Sequence, residues 1–118
     1  VELVPHVPHD RMRELVWDRT GLLLAPSRHE SWSMTASEAL AHGIPVIASD
    51  LPGLRENIGP AGVLLPRAHL QSWRACIRDL RVDPRAWSAL ARARAVEHHE
   101  TWLAESAAWV LRVEEVAG

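Results

Sequence analysis

Two glutamates, Glu30 and Glu38, have seven residues between them and flank a polar turn that runs into a helix start. The turn is Pro26-Ser27-Arg28-His29-Glu30-Ser31-Trp32, and the small-residue run from Thr35 to Ala41 reads as a helix that stops at Gly43. A helix that begins inside such a turn offers free backbone N–H groups and the positive end of its dipole at one spot, which suits a phosphate. Glu38 lies about two turns beyond Glu30, so the pair cannot share one hydrogen-bond partner but can grip opposite ends of an extended ligand. A molecule with hydroxyls at both ends and a diphosphate between them fits this pattern, and a nucleotide sugar is such a molecule.

The surrounding elements have to hold that turn. Leu22 to Ala25 is a continuous apolar run, the pattern of a strand buried on both faces, and this favours a parallel sheet. Val46 to Ala48 reads as a second buried strand, and Gly62 to Leu65 as a third, closed by Pro66. Val1 to Val4 reads as an edge or truncated strand ended by Pro5 and Pro8. A first helix is expected from the cap Asp10 through Arg19, with Met12, Leu15 and Val16 inward. Gly43 and Pro45 end the second helix, and Leu54 to Ile58 forms a short third one after the turn Asp50-Leu51-Pro52-Gly53.

From His69 onward the pattern is helical only, over about Leu70 to Arg81, Pro84 to Glu97 and Thr101 to Val116. The last of these carries Trp102, Ser106, Trp109, Val113 and Val116 on one stripe, the spacing of a packed face. The fold class is therefore α/β: a partial Rossmann-like parallel sheet of about three or four strands, with helices on both faces and a helical C-terminal tail. Residues 1–66 form the Rossmann-like half and residues 67–118 the tail of one domain. Parallel sheets bind ligands beyond the carboxyl ends of their strands, which is where the turn after Ala25 belongs.

Composition excludes several roles. A formal net charge of -2 gives no electrostatic case for nucleic acid. No apolar run approaches the roughly 20 residues that span a bilayer, so no integral membrane segment is expected. The single cysteine, Cys76, cannot form an internal disulfide, which points to a reducing compartment. The expected location is cytoplasmic, with a parent protein peripheral to the inner membrane. All 13 basic residues are arginine. The chain opens without methionine inside an apparent strand, and the expectation is a piece of a longer protein.

The run Pro26-Ser27, Glu30, Ser31-Trp32-Ser33-Met34, Glu38-Ala39, Gly43, Pro45-Val46-Ile47-Ala48-Ser49-Asp50, Gly53 and Glu56 resembles the donor-binding half of family 4 (group 1) retaining glycosyltransferases. The resemblance implies a GT-B fold of two Rossmann-like domains, of which this chain is part of the C-terminal one. It implies that Glu30 meets hydroxyls of the donor sugar as the catalytic, charge-stabilising residue, and that Glu38 holds the ribose hydroxyls. The backbone amides of Trp32, Ser33, Met34 and Thr35 would meet the diphosphate, with Arg28 nearby. The partner is then a UDP- or GDP-sugar, bound as substrate. No metal and no further cofactor are implied, because the helix terminus and basic side chains take the leaving group's charge.

The sequence departs from the family at Ser31, where glycine is usual, and at Pro52-Gly53, where Gly-Gly is common. The family's phosphate-binding Arg and Lys lie upstream of the position of Val1, and so does its acceptor domain. The resemblance therefore implies a donor-binding portion that is inactive in isolation. Two other readings stay open: a non-catalytic nucleotide-sugar binding or interaction module, and an enzyme like a sugar-nucleotide epimerase on the same fold.

Simpler roles compete at several positions. Glu30 could cap the second helix, and Asp50 and Glu56 read as local caps. His6 with His9, and His98-His99-Glu100, read as loop and helix-surface groups rather than metal ligands. Trp73, Trp87, Trp102 and Trp109 read as core, and an uncovered part of the last helix would favour self-association.

Overall fold

The structure, a computed structural model, describes residues 2–117, without the side chains of residues 108–111 and 113–117. Three parallel strands, β1 (Leu23–Ala25), β2 (Val46–Ser49) and β3 (Gly62–Leu65), lie in the order β1-β2-β3. Leu23 sits beside Val46, and Val46 beside Gly62, so the three carboxyl ends point the same way. The connecting helices are α2 (Met34–Ala41) and α3 (Pro52–Ile58), preceded by the single turn α1 (Met12–Leu15) and followed by α4 (Leu70–Leu80) and α5 (Pro84–Ala117). The expected α/β fold with helices on both sheet faces is therefore present.

Strand β2 is buried at every residue. On one face Val46 and Ala48 pack with Ala36, Ala39 and Leu40 of α2, Leu54 and Ile58 of α3, and Ala91 of α5. On the other, Ile47 packs with Trp73 and Leu80 of α4. Fully burying a Val, Leu or Ile side chain stabilises by about 1.5–3 kcal/mol, so β2 is the fixed axis of the sheet.

Gly43 ends α2 with φ 71°, its N–H bonded to the Leu40 carbonyl at 2.9 Å and that of Ile44 to the Ala39 carbonyl at 2.9 Å. This pairing satisfies the last carbonyls of the helix and needs a left-handed residue, which glycine adopts without strain.

Several expectations are corrected. No strand forms over residues 2–4, where Leu3 is 90% exposed. An apolar run next to prolines becomes a strand only when another strand takes its hydrogen bonds, and among the described residues β1 pairs with β2 alone. Strand β1 is thus an edge, and Leu24 is 45% exposed rather than buried on both faces. Asp10 caps nothing: residues 9–11 form a 3-10 turn that leads into α1, and a second one spans Trp17–Arg19. Trp17, which the periodicity did not single out, is the buried residue of this segment and stacks on His42 with ring centroids 5.8 Å apart.

The two terminal helices expected around residues 98–100 are one. No glycine or proline follows Pro84 before residue 117, so nothing interrupts the backbone hydrogen bonds. At 1.5 Å per residue α5 is about 51 Å long, close to the longest dimension of the molecule, 57 Å. Trp73 is core, donating Nε1–H to the Pro66 carbonyl at 3.0 Å, and Trp87 is partly buried against the same cluster. Trp102 is 62% exposed, so its core reading fails, while the side chains of Trp109, Val113 and Val116 lie outside the described residues. Among the described residues no helix is long and apolar enough to cross a membrane.

Candidate functional site

The loop from Pro26 to Ser33 leaves the carboxyl end of β1 and enters α2. Ser33 is the N-cap: its Oγ accepts the Ala36 N–H at 3.2 Å. Glu30 is therefore not the cap of this helix; its Oε1 accepts the N–H of Ser31 at 3.1 Å. Ser33 also has φ 71°, the one positive φ outside glycine among the described residues. Such a conformation costs on the order of 1–2 kcal/mol in a residue with a Cβ, so the surroundings must impose it.

Asn57 imposes it. This side chain is fully buried at the end of α3, and its Nδ2 donates to the carbonyls of Trp32 at 2.7 Å and Ser33 at 3.0 Å. Ser37 Oγ lies 2.9 Å from the same nitrogen and accepts the Trp32 indole N–H at 3.0 Å. Buried amides need such partners, and here the partners are the loop itself. Gly53 is the second support: a Cβ there would stand 1.7 Å from the Ser31 carbonyl oxygen, so α3 approaches the loop as only glycine allows.

With the carbonyls turned inward, the amides of Trp32, Ser33, Met34 and Thr35 have no acceptor among the described residues. They stand at the positive end of an eight-residue helix.

The residues singled out in the sequence divide between two cavities. Thr35 and Glu38 line one of about 500 Å³, facing His6, Val7, His9 and Trp17. Trp32 and Met34 line one of about 680 Å³, whose far wall is α5. Glu30 is half-buried and lines neither. The single pocket expected between the two glutamates is thus not formed by these side chains.

Charge separates the cavities. The larger carries Glu56, Glu97 and Glu105 against Arg94 and His98, and Arg94 already pairs with Glu97 at 2.8 Å. A diphosphate would meet net repulsion there. The smaller carries one carboxylate, Glu38, with His6 and His9 across from it.

Arg28 is exposed, with no carboxylate in ion-pair range among the described residues. Arg55 is different, since its Nε meets Asp50 Oδ1 at 2.5 Å. That hydrogen bond and the charge behind it hold the Asp50 carboxyl below the usual carboxylate range and raise Arg55. Asp50 is an ion-pair partner rather than a cap, for α3 begins after Leu51 without a side-chain cap. Glu56 does not cap either, and its carbonyl takes a hydrogen bond from Arg94 Nη2.

The sequence reading missed Asn57 and placed His98 on the surface. His98 is half-buried, with Nε2 2.6 Å from the Asn57 carbonyl and its ring edge-on to Trp32 at 5.2 Å. At the carboxyl end of β2, Ser49 Oγ is the one buried side-chain oxygen or nitrogen without a partner among the described residues.

Known proteins resemble this chain in sequence and in fold. Residues 1–83 match the family described as "Glycosyl transferases group 1". The D-inositol 3-phosphate glycosyltransferase of Thermobispora bispora is 36% identical over 101 residues, which is 83% of this chain and 23% of that protein. The one from Paenarthrobacter aurescens is 32% identical over 112 residues, 92% of this chain and 26% of that protein. The solved sucrose-phosphate synthase of Thermosynechococcus elongatus superposes with a TM-score of 0.67 at 26% identity, over 89% of this chain and 30% of its own. The chain spans about a quarter of the length of the curated relatives it matches. Across its first 83 residues, sheet, site loop and α4 included, this chain belongs to the group 1 glycosyltransferases.

Proposed function

We propose that the chain is the nucleotide-sugar-binding portion of a retaining glycosyltransferase, whose parent protein brings an acceptor domain to the same cleft. The observation that carries this reading is the set of unpartnered amides from Trp32 to Thr35 at the start of α2, beside a cavity holding Glu38. In this reading the amides take the diphosphate of a UDP- or GDP-sugar and the Glu38 carboxylate accepts the ribose hydroxyls. Glu30, at the mouth of the loop, faces the donor sugar and offsets charge as the glycosidic bond opens. Arg28 adds a cation for the departing phosphate. Sugar transfer with retention then needs positioning and preorganised dipoles more than a proton shuttle.

Both histidines of the smaller cavity belong to the segment before α1, which closes the nucleoside end of the site. A location in the cytoplasm, where nucleotide sugars are made, goes with the same reading.

Calorimetric titration of the chain with UDP, GDP and their glucose conjugates tests it. Binding of one nucleotide series, lost in Glu38→Ala and kept in the exposed control Glu100→Ala, is the expected result. Equal binding by both variants would refute the assignment of Glu38.

A further inference from the structure

Asn57 does more than fill a buried position. A peptide unit is planar and trans, so its N–H points opposite to its C=O. The carbonyl of Trp32 shares a plane with the N–H of Ser33, and the carbonyl of Ser33 with the N–H of Met34. By drawing the Trp32 carbonyl to its Nδ2 at 2.7 Å, and by sharing the Ser33 carbonyl, at 3.0 Å, with the Ser37 N–H that opens α2, Asn57 turns the amides of Ser33 and Met34 away from the protein interior. The same two bonds hold Ser33 at φ 71°, a conformation its Cβ opposes.

We infer that Asn57 is a positioning residue for anion binding: it aims the Ser33 and Met34 amides at the diphosphate without touching the ligand. The inference rests on the reading of this loop as the donor site. The tail holds Asn57 in turn, because its carbonyl accepts hydrogen bonds from Arg94 Nε at 3.0 Å and His98 Nε2 at 2.6 Å. A carbonyl only accepts, so the His98 proton is on Nε2. Helix α5 thus braces the site loop through the Asn57 carbonyl, 37 and 41 residues before the two side chains that hold it, and through the His98 ring on Trp32.

The test separates phosphate recognition from general loss of structure. Wild type, Asn57→Ala and Asn57→Ala with Ser33→Gly are titrated with UDP, GDP, uridine and guanosine, with melting curves as a check on folding. Asn57→Ala is expected to weaken the nucleoside diphosphate by about tenfold while the matching nucleoside binds as before. Glycine at position 33 adopts the positive φ unaided and still serves as an N-cap with little loss, so the double variant is expected to regain most of that affinity.

Parallel losses for nucleoside and nucleoside diphosphate, or no recovery in the double variant, would overturn the inference. If Asn57→Ala does not fold, Ser37→Ala removes the hydroxyl that links Asn57 to the Trp32 indole and to the Ser33 carbonyl. It is expected to give a diphosphate-selective loss of about two- to threefold, and unchanged binding would count against the role. Failure of the wild-type chain to bind either UDP or GDP would instead sink the donor-site reading itself, and the inference with it.

Discussion

In the sheet half, β2 is buried at all of its residues and the helices α2 and α3 lie against it through Leu40, Leu54 and Ile58. In the tail, α5 has one fully buried residue among those described, Ala91, and exposes Val96, Trp102 and Leu103. The first region owes its shape to apolar burial. The second adds to it the buried Ala91, the partly buried Trp87 and Ala95, and the polar contacts of Arg94 and His98 on the carbonyls of Glu56 and Asn57. The family match divides the chain similarly, covering residues 1–83 and ending just before α5. The contrast teaches that the site loop is built by the sheet half and adjusted by the tail.

The sharpest way to break this comparison is in the core. Ile47→Ala, in the centre of β2, is expected to lose about 2–5 kcal/mol in chemical denaturation. Trp102→Ala on α5 is expected to change stability by less than about 0.5 kcal/mol. Equal losses would mean that the tail carries as much of the fold as the sheet.

Gly53→Ala comes next. Its Cβ would collide with the backbone of Ser31, so a loss of about 1–3 kcal/mol is expected. Nucleotide binding should fall with it, as the loop shifts. A stable variant with full binding would show that the loop is not held by α3.

Ser49→Ala goes the other way, because it removes a buried hydroxyl that has no partner among the described residues. Free protein should gain about 1 kcal/mol in a melting experiment. A loss would mean that the hydroxyl is satisfied within the fold.

The smallest effect belongs to the pair of Asp50 and Arg55. The Asp50 carboxyl is held low by Arg55, so whatever stability it adds is present above the pKa of the unfolded chain and lost as pH falls through the lower folded value. The pair lies at the surface and is screened by solvent. Asp50→Asn should therefore melt only slightly below wild type at neutral pH, and the two curves should converge in acid.

Much of the sheet half was legible from the sequence. Uninterrupted apolar runs marked β2 and β3, and Gly43 with Pro45 fixed the end of α2, because these signals are local. What escaped depends on distant partners. Whether Leu24 is covered depends on which strand lies beside β1, and Asn57 is unremarkable until Trp32 and Ser33, more than twenty residues earlier, come to rest on it. The tail misled for the opposite reason: His98-His99-Glu100 looked like a break, yet no residue there interrupts a helix.

The central claim is that the amides opening α2 form the phosphate cradle. Backbone amide NMR of the 118-residue chain during titration with UDP and GDP tests it most directly. The account predicts the largest shifts at Ser33, Met34 and Thr35, with Glu38 next. Shifts confined to Glu97, Thr101 and Glu105, on the wall of the larger cavity, would contradict it.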